Sequence, residues 1–186
     1  PELAERMRRL RTHGITRDPT RMQGPPDGPW DYHQIELGYN YRMTDIQAAL
    51  GHSQLQRLDD YVARRHHLAE RYHRLLADLP VQTPYQDPRH HSALHLYPIQ
   101  ISDQAGRDRG QLFATLRQAS IGVNVHYIPV HTQPDYQRLG FQSGDFPVAE
   151  AYYQHAISLP LFPALTEVEQ DSVIESLAVA CNSRTK

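Results

Sequence analysis

Two stretches of helical periodicity stand back to back in the first half of the chain, and their order most restricts the fold. Thr44-Asp45 can cap a helix running to about Asp59, with Ile46, Ala49, Leu50, Ser53, Leu55 and Leu58 on its apolar and small face. A second helix is predicted from about Tyr61 to Leu79, with Val62, Leu68, Tyr72, Leu75 and Leu76 on one side. Pro80 closes it, because the residue before a proline is driven out of helical backbone space. Beyond that point the periods shorten and alternate. Leu94–Ser102 reads as a strand in which Pro98 predicts an edge position or a bulge. Arg109–Ala119 reads as a helix with Leu112, Phe113 and Leu116 inward, and Ile121–Ile128 as a strand. Phe146–His155 follows as a helix and Ile157–Leu161 as a short strand. Thr166, with Glu169 three residues on, caps a last helix to about Ala180. Helices first, then a small antiparallel or mixed sheet covered by helices, make an α+β arrangement.

Ahead of the two helices, Leu3, Met7 and Leu10 mark a short amphipathic helix over Pro1–Thr12, with Gly14 at its stop. Residues 16–30 are rich in Pro, Gly, Asp and Arg and read as a loop. It carries the only tryptophan, Trp30, which is expected to pack on something. The net charge of −2 leaves no broad bias toward nucleic acid or anionic lipid. Arg64 and Arg65, close in sequence to Asp59 and Asp60, read as a solvated helix face. The single cysteine, Cys181, can form no internal disulfide. No apolar run approaches the ~20 residues that span a bilayer, and no signal peptide is visible, so a cytoplasmic location without membrane or nucleic-acid partners is expected. Among the 12 histidines, none falls in a cysteine-rich or His-Glu-x-x-His pattern, so no metal site is expected. His66, His67 and His73 are predicted to face water on a charged helix.

The only lysine is Lys186, so no interior amine is available for Schiff-base chemistry. The chain also opens Pro1-Glu2-Leu3, without methionine and straight into a helix, and so reads as the continuation of a longer protein.

The most unusual stretch is Leu37 to Gly51, a turn carrying Asn40 and Arg42 that feeds directly into a helix start. Free N–H groups at a helix start, with Asn and Arg donors beside them, form a natural anion site. Polar residues are equally common at helix starts that bind nothing. Gly38, Asn40, Arg42, Met43, Asp45, Gln47, Ala48 and Ala49, followed by Gln54, Leu55 and Arg65, resemble a hallmark of the DegT/DnrJ/EryC1/StrS aminotransferases. The resemblance continues in order through His95-Leu96-Tyr97, His126-Tyr127-Ile128-Pro129-Val130-His131 and Ser158-Leu159-Pro160-Leu161, over essentially the whole chain. Trp30, Tyr32 and the run Glu36 to Arg42 are most similar to the PseC-like transaminases of pseudaminic acid biosynthesis.

The resemblance implies the C-terminal part of a fold type I aminotransferase that uses pyridoxal 5'-phosphate. Residues 1–45 would be the tail of the large cofactor domain and a dimer-spanning loop, and residues 46–186 a helical connection and the small C-terminal domain. It implies a homodimer in which Asn40 reaches the cofactor phosphate of the other subunit, or else merely turns its own backbone. Val125, His126, Tyr127 and Ile128 would lie along a UDP-sugar, with plain strand core as the alternative for Val125 and Ile128. Arg42 would meet a nucleotide phosphate or pair with Asp45 or Glu36, the pair being slightly favoured. Glutamate would be the amino donor and a 4-keto nucleotide-sugar the acceptor. The family's cofactor-bearing lysine would fall ahead of Pro1, so no catalytic residue is expected in this chain, and transamination is not separable here from the dehydration that a histidine-bearing subgroup performs. A non-catalytic, nucleotide-sugar-binding or self-associating α+β module is the alternative.

Overall fold

A computed structural model describes residues 2–182, with side chains to Cys181; Pro1 and Lys186 lie outside the described residues. The chain divides into two compact units, residues 1–56 and 57–186. The helix that follows Thr44 belongs to the first unit.

In the first unit, α1 (Glu2–Leu10) is followed by β1 (Ile15–Thr16), which pairs antiparallel with β2 (His33–Gln34). The loop 17–32 is thus the tip of a long hairpin, which its turn-rich composition concealed. Leu3 and Met7 of α1 are exposed. Trp30 also remains 68% exposed. The tryptophan ring lies against Gly28 of its own loop, so close that a Cβ there would meet it at 2.6 Å. α2 (Asp45–Leu55) begins where expected: Gln47 N–H donates to the Thr44 hydroxyl, and the Gln47 side chain accepts from Thr44 N–H at 2.9 Å. It stops four residues before Asp59, because Arg57 leaves helical backbone space.

The second unit holds the core. α3 (Leu58–Leu75) turns Leu68, Ala69 and Tyr72 inward, and Leu76 is buried just beyond it. The helix ends four residues before Leu79; the chain then turns so that β3 (Val81–Gln82) can pair with β4 (Tyr97–Ile101). β5 (Ala156–Leu159) completes the antiparallel sheet in the order β3-β4-β5. Tyr97, Ile99 and Ile101 alternate into the core, where they meet Leu112 and Leu116 of α4 (Arg109–Gln118) and Val173 and Leu177 of α7 (Glu167–Asn182). Short α5 (Pro134–Gln137) and α6 (Pro147–His155) lie between. Thr166 and Glu169 form the expected cap of α7, with Thr166 N–H donating to Glu169 at 2.8 Å.

Pro98 sits in the central strand rather than at an edge. Ser158, its partner in β5, directs both its N–H and its carbonyl away from β4, to Asn124 at 2.8 and 3.3 Å. Pro98 therefore occupies a non-hydrogen-bonded pair, with its nitrogen facing away from β5. On that other side β3 reaches only Gln100 and Ile101, so no ladder bond is lost.

The arginines read as solvated are staples of this unit. Arg64 Nη2 donates to Leu165 O at 2.9 Å. Arg65 Nη1 reaches Leu94 O, His95 O and Leu161 O at 3.1, 3.2 and 2.7 Å. His66 and His73 also turn inward: His66 Nε2 meets Ser92 O at 2.7 Å while its ring stacks on His91, and His73 lies between Ala69 O and Pro84 O. His67 is the one of the three that faces solvent. Arg65, His66 and His73 all reach the coil of residues 83–96, whose carbonyls have no sheet partners and need side-chain donors. Cys181 is buried, and burial pushes its thiol above the ordinary range, so it is a packing residue. No helix among the described residues is long and apolar enough to cross a membrane.

Candidate functional site

The candidate residues fall into two groups, one in each unit. In the first, residues 36–44 form an arm laid along the end of α1. Tyr39 N–H donates to Leu10 O at 2.7 Å, His13 N–H to Tyr39 O at 2.8 Å, and Tyr41 N–H to Arg11 O at 2.9 Å. Gly38 makes this possible: a Cβ on it would stand 2.1 Å from Gly14 N. Gly14 itself adopts φ +71°, open to glycine at no steric cost. Glu36 anchors the base of the arm through Arg9 at 2.5 Å and Arg6 at 3.5 Å, and these guanidiniums, Arg9 foremost, hold its carboxyl below the usual range.

That anchoring decides the place of Arg42. The partners expected for it were a nucleotide phosphate, Asp45 or Glu36, and Glu36 is engaged by α1. Arg42 Nε instead donates to Asn40 Oδ1 at 2.6 Å. The carboxamide is thereby oriented, with its oxygen tied back and its Nδ2 left as an exposed donor. Around Asn40, Leu37, Tyr39, Tyr41 and Met43 are exposed, as are Ile46, Leu50 and Leu55 of α2. α2 buries no residue at all in this chain.

In the second unit, Val125, His126, Tyr127 and Ile128 are not part of a strand. Only Asn124 bridges Ser158 of β5. Beyond that bridge the pairing stops, and the Val125 N–H, on the side away from β5, donates at 2.8 Å to Asn124 Oδ1. Tyr127 and Ile128 are 71% and 50% exposed, which removes the strand-core reading for Ile128. His126 is held between Ser158 Oγ at 2.8 Å and Asn124 Nδ2 at 3.2 Å, and its ring meets Tyr127 edge-on at 4.6 Å. Asn124 and Ser158, which hold His126, were not among the predicted site residues; Ser158 opens one segment that carried the resemblance, and Asn124 lies two residues ahead of another.

Behind this strip, the 3₁₀ turn Val130–Thr132 buries His131. Glu150 of α6 accepts from Gly144 N–H at 2.7 Å, His131 Nε2 at 2.8 Å and the Ser143 hydroxyl at 2.9 Å. The Gly144 amide, then His131 and Ser143, hold its carboxyl down from an ordinary 4.5 to about 2. A folded value below the unfolded one means that these contacts stabilise fully above about pH 4.5 and lose their contribution as pH falls toward 2. Glu150→Gln is expected to flatten part of the acid limb of thermal stability in that window. Asp18, Glu36, Asp87 and Glu169, also shifted down, keep the rest. An unchanged limb in the variant would refute the role of Glu150. Among the described residues, no group of three or more His, Cys, Asp or Glu is placed to hold a metal ion.

Three comparisons bear on the whole chain. The family model described as the DegT/DnrJ/EryC1/StrS aminotransferase family matches residues 1–178. The spore coat polysaccharide biosynthesis protein SpsC of Bacillus subtilis is 40% identical over 182 residues, covering 95% of this chain and 46% of SpsC. Helicobacter pylori PseC, an aminotransferase involved in the biosynthesis of pseudoaminic acid, superposes with a TM-score of 0.83 at 27% identity, over 96% of this chain and 46% of PseC. The PLP-form of Spr1654 from Streptococcus pneumoniae superposes with a TM-score of 0.85 at 28% identity, over 100% of this chain and 45% of that one. The chain spans about half the length of the curated relatives it matches.

Proposed function

The chain belongs to the DegT/DnrJ/EryC1/StrS aminotransferase family, and from that premise we propose that it is the C-terminal part of a pyridoxal-phosphate-dependent transaminase that moves the amino group of glutamate onto a 4-keto sugar of a UDP-sugar. The relationship to SpsC and PseC supports a product destined for a surface polysaccharide, such as pseudaminic acid. In this reading the protein works as a homodimer, and the arm of residues 36–44 belongs to a neighbour's cofactor site.

The observation that carries the reading is the state of Asn40. Its oxygen is tied back by Arg42, so the group it presents outward is an N–H₂ donor, the polarity a phosphate oxygen requires. The exposed Leu37, Tyr39, Tyr41 and Met43 around it are an apolar surface suited to burial against a second protomer. The chain fits the covalent role less well, since its one lysine is Lys186. The lysine that carries the cofactor is therefore assigned to the remainder of a longer protein. Pyridoxal phosphate, when bound, supplies the electron sink for amino transfer. Arg42 orients Asn40, and the exposed Tyr127 and Ile128 line the sugar-nucleotide.

In the full-length protein, Asn40→Ala removes one donor to a charged acceptor and is expected to weaken cofactor binding by roughly 10- to 100-fold. Asn40→Asp places like charge on the phosphate and weakens it further. Sharing between protomers is tested by mixing an Asn40→Ala protein with one lacking the cofactor-bearing lysine. A hybrid dimer then holds one intact site and one doubly defective site, so activity should reappear on mixing. Failure to recover activity sinks the assignment of Asn40 to its neighbour's site.

A further inference from the structure

Four atoms around residue 126 fix a proton whose position can be deduced. Val125 N–H donates to Asn124 Oδ1 at 2.8 Å, so the Asn124 carboxamide cannot turn over without setting two donors against each other. Its Nδ2 must then face His126 Nε2, at 3.2 Å. An amide nitrogen only donates, so His126 Nε2 must be the bare, accepting nitrogen. A neutral imidazole carries its single proton on the other nitrogen, and Nδ1–H therefore donates to Ser158 Oγ at 2.8 Å. Ser158 is buried in β5, and its backbone exchanges two hydrogen bonds with Asn124, which fixes where its hydroxyl stands.

We infer that Asn124 and Ser158 lock His126 as the neutral Nδ1–H tautomer, and that this locked ring is a positioning residue that sets the exposed Tyr127 phenol as one wall of the sugar-nucleotide site. The inference deepens the reading of Val125–Ile128 as a ligand strip and rests on it for the identity of the ligand. The edge of one ring stands against the face of the other, with centroids 4.6 Å apart, so rotation of the imidazole would displace the phenol. The exposed phenol is thereby given one orientation before ligand arrives, which lowers the ordering cost of binding. Asn124 sets the tautomer, and Ser158 Oγ only accepts the hydrogen bond from Nδ1–H.

The lock is tested by nitrogen-15 NMR of the histidine-labelled chain, with His126 assigned from a His126→Gln variant. The wild type is expected to carry its proton on Nδ1 and to show ring-to-ring contact between His126 and Tyr127; a proton on Nε2 overturns the inference without any variant. Asn124→Asp offers an acceptor in place of the donor, and is expected to move a proton onto Nε2 and to weaken the Tyr127 contact. Ser158→Ala is expected to leave the proton on Nδ1. Reversal in Ser158→Ala, or an unaltered Tyr127 contact in Asn124→Asp, overturns the roles given to the two residues. In a separate arm, uridine diphosphate is titrated into the full-length protein, and Asn124→Asp should bind it about tenfold more weakly. Absence of binding to the wild type removes the sugar-nucleotide reading, while the tautomer result stands by itself.

Discussion

An alanine at position 38 is expected to unseat the arm. The added Cβ would stand 2.1 Å from Gly14 N, 2.5 Å from the His13 carbonyl carbon and 2.8 Å from Leu10 O. All three are backbone atoms, so no side chain can swing aside. The arm must lift from α1, and the bonds Tyr39 N–H to Leu10 O, His13 N–H to Tyr39 O and Tyr41 N–H to Arg11 O go with it. Overpacking and three lost hydrogen bonds together amount to about 3 kcal/mol or more of local stability. Hydrogen exchange reads the result directly: the amides of His13, Tyr39 and Tyr41 should lose protection, while those of β4 keep theirs. Gly51→Ala is the matched control. It lies inside α2 with nothing within 4 Å of its missing Cβ, and should be neutral or stabilising by up to about 1 kcal/mol. Equal protection in Gly38→Ala and wild type would refute the account of the arm.

Arg65→Met is expected to cost the second unit about 3 kcal/mol. Methionine keeps much of the aliphatic stem and removes only the guanidinium. One terminal nitrogen, with two hydrogens, serves the carbonyls of Leu94, His95 and Leu161. The bonds to Leu94 and Leu161 are partly buried, so water replaces the lost donor poorly. Because Arg65 joins α3 to both the 83–96 coil and the segment after β5, its loss should loosen the coil first. Denaturant unfolding followed by far-ultraviolet circular dichroism gives the magnitude, and trypsin cleavage after Arg89 gives the order of events. Arg89→Met should change stability by no more than about 0.5 kcal/mol, because its ion pair with Asp87 is solvent-exposed. Equal effects of the two substitutions would contradict the staple.

The α+β order of elements was legible because it rests on local signals. Thr44 with Gln47 and Thr166 with Glu169 cap helices through contacts three residues apart, and Leu112 and Leu116 share one helix face. What the sequence hid depends on partners far along the chain. Arg65 looks like any charged helix residue until carbonyls 29, 30 and 96 positions away arrive to meet it. The run Ile121–Ile128 has strand composition, yet only Asn124 within it bridges β5, and Val125 N–H bonds locally to the Asn124 side chain. Arg42 had two acidic neighbours in sequence, and its true partner is a neutral amide, since α1 claims Glu36. The family motifs drew attention to Asn40 and the strip of residues 125–128. Those motifs carry no record of Asn124 and Ser158 acting together, because that pairing exists only once β5 is in place.

Trp30 gives the chain a built-in optical label. It is the sole tryptophan, it lies in the hairpin loop of residues 17–32, and two-thirds of it is open to solvent. Intrinsic fluorescence excited at the indole should therefore be red-shifted and readily quenched by acrylamide, and a melting curve recorded that way reports on the hairpin that carries it. Shielding of that emission on self-association would report the arm finding its neighbour, with no dye attached.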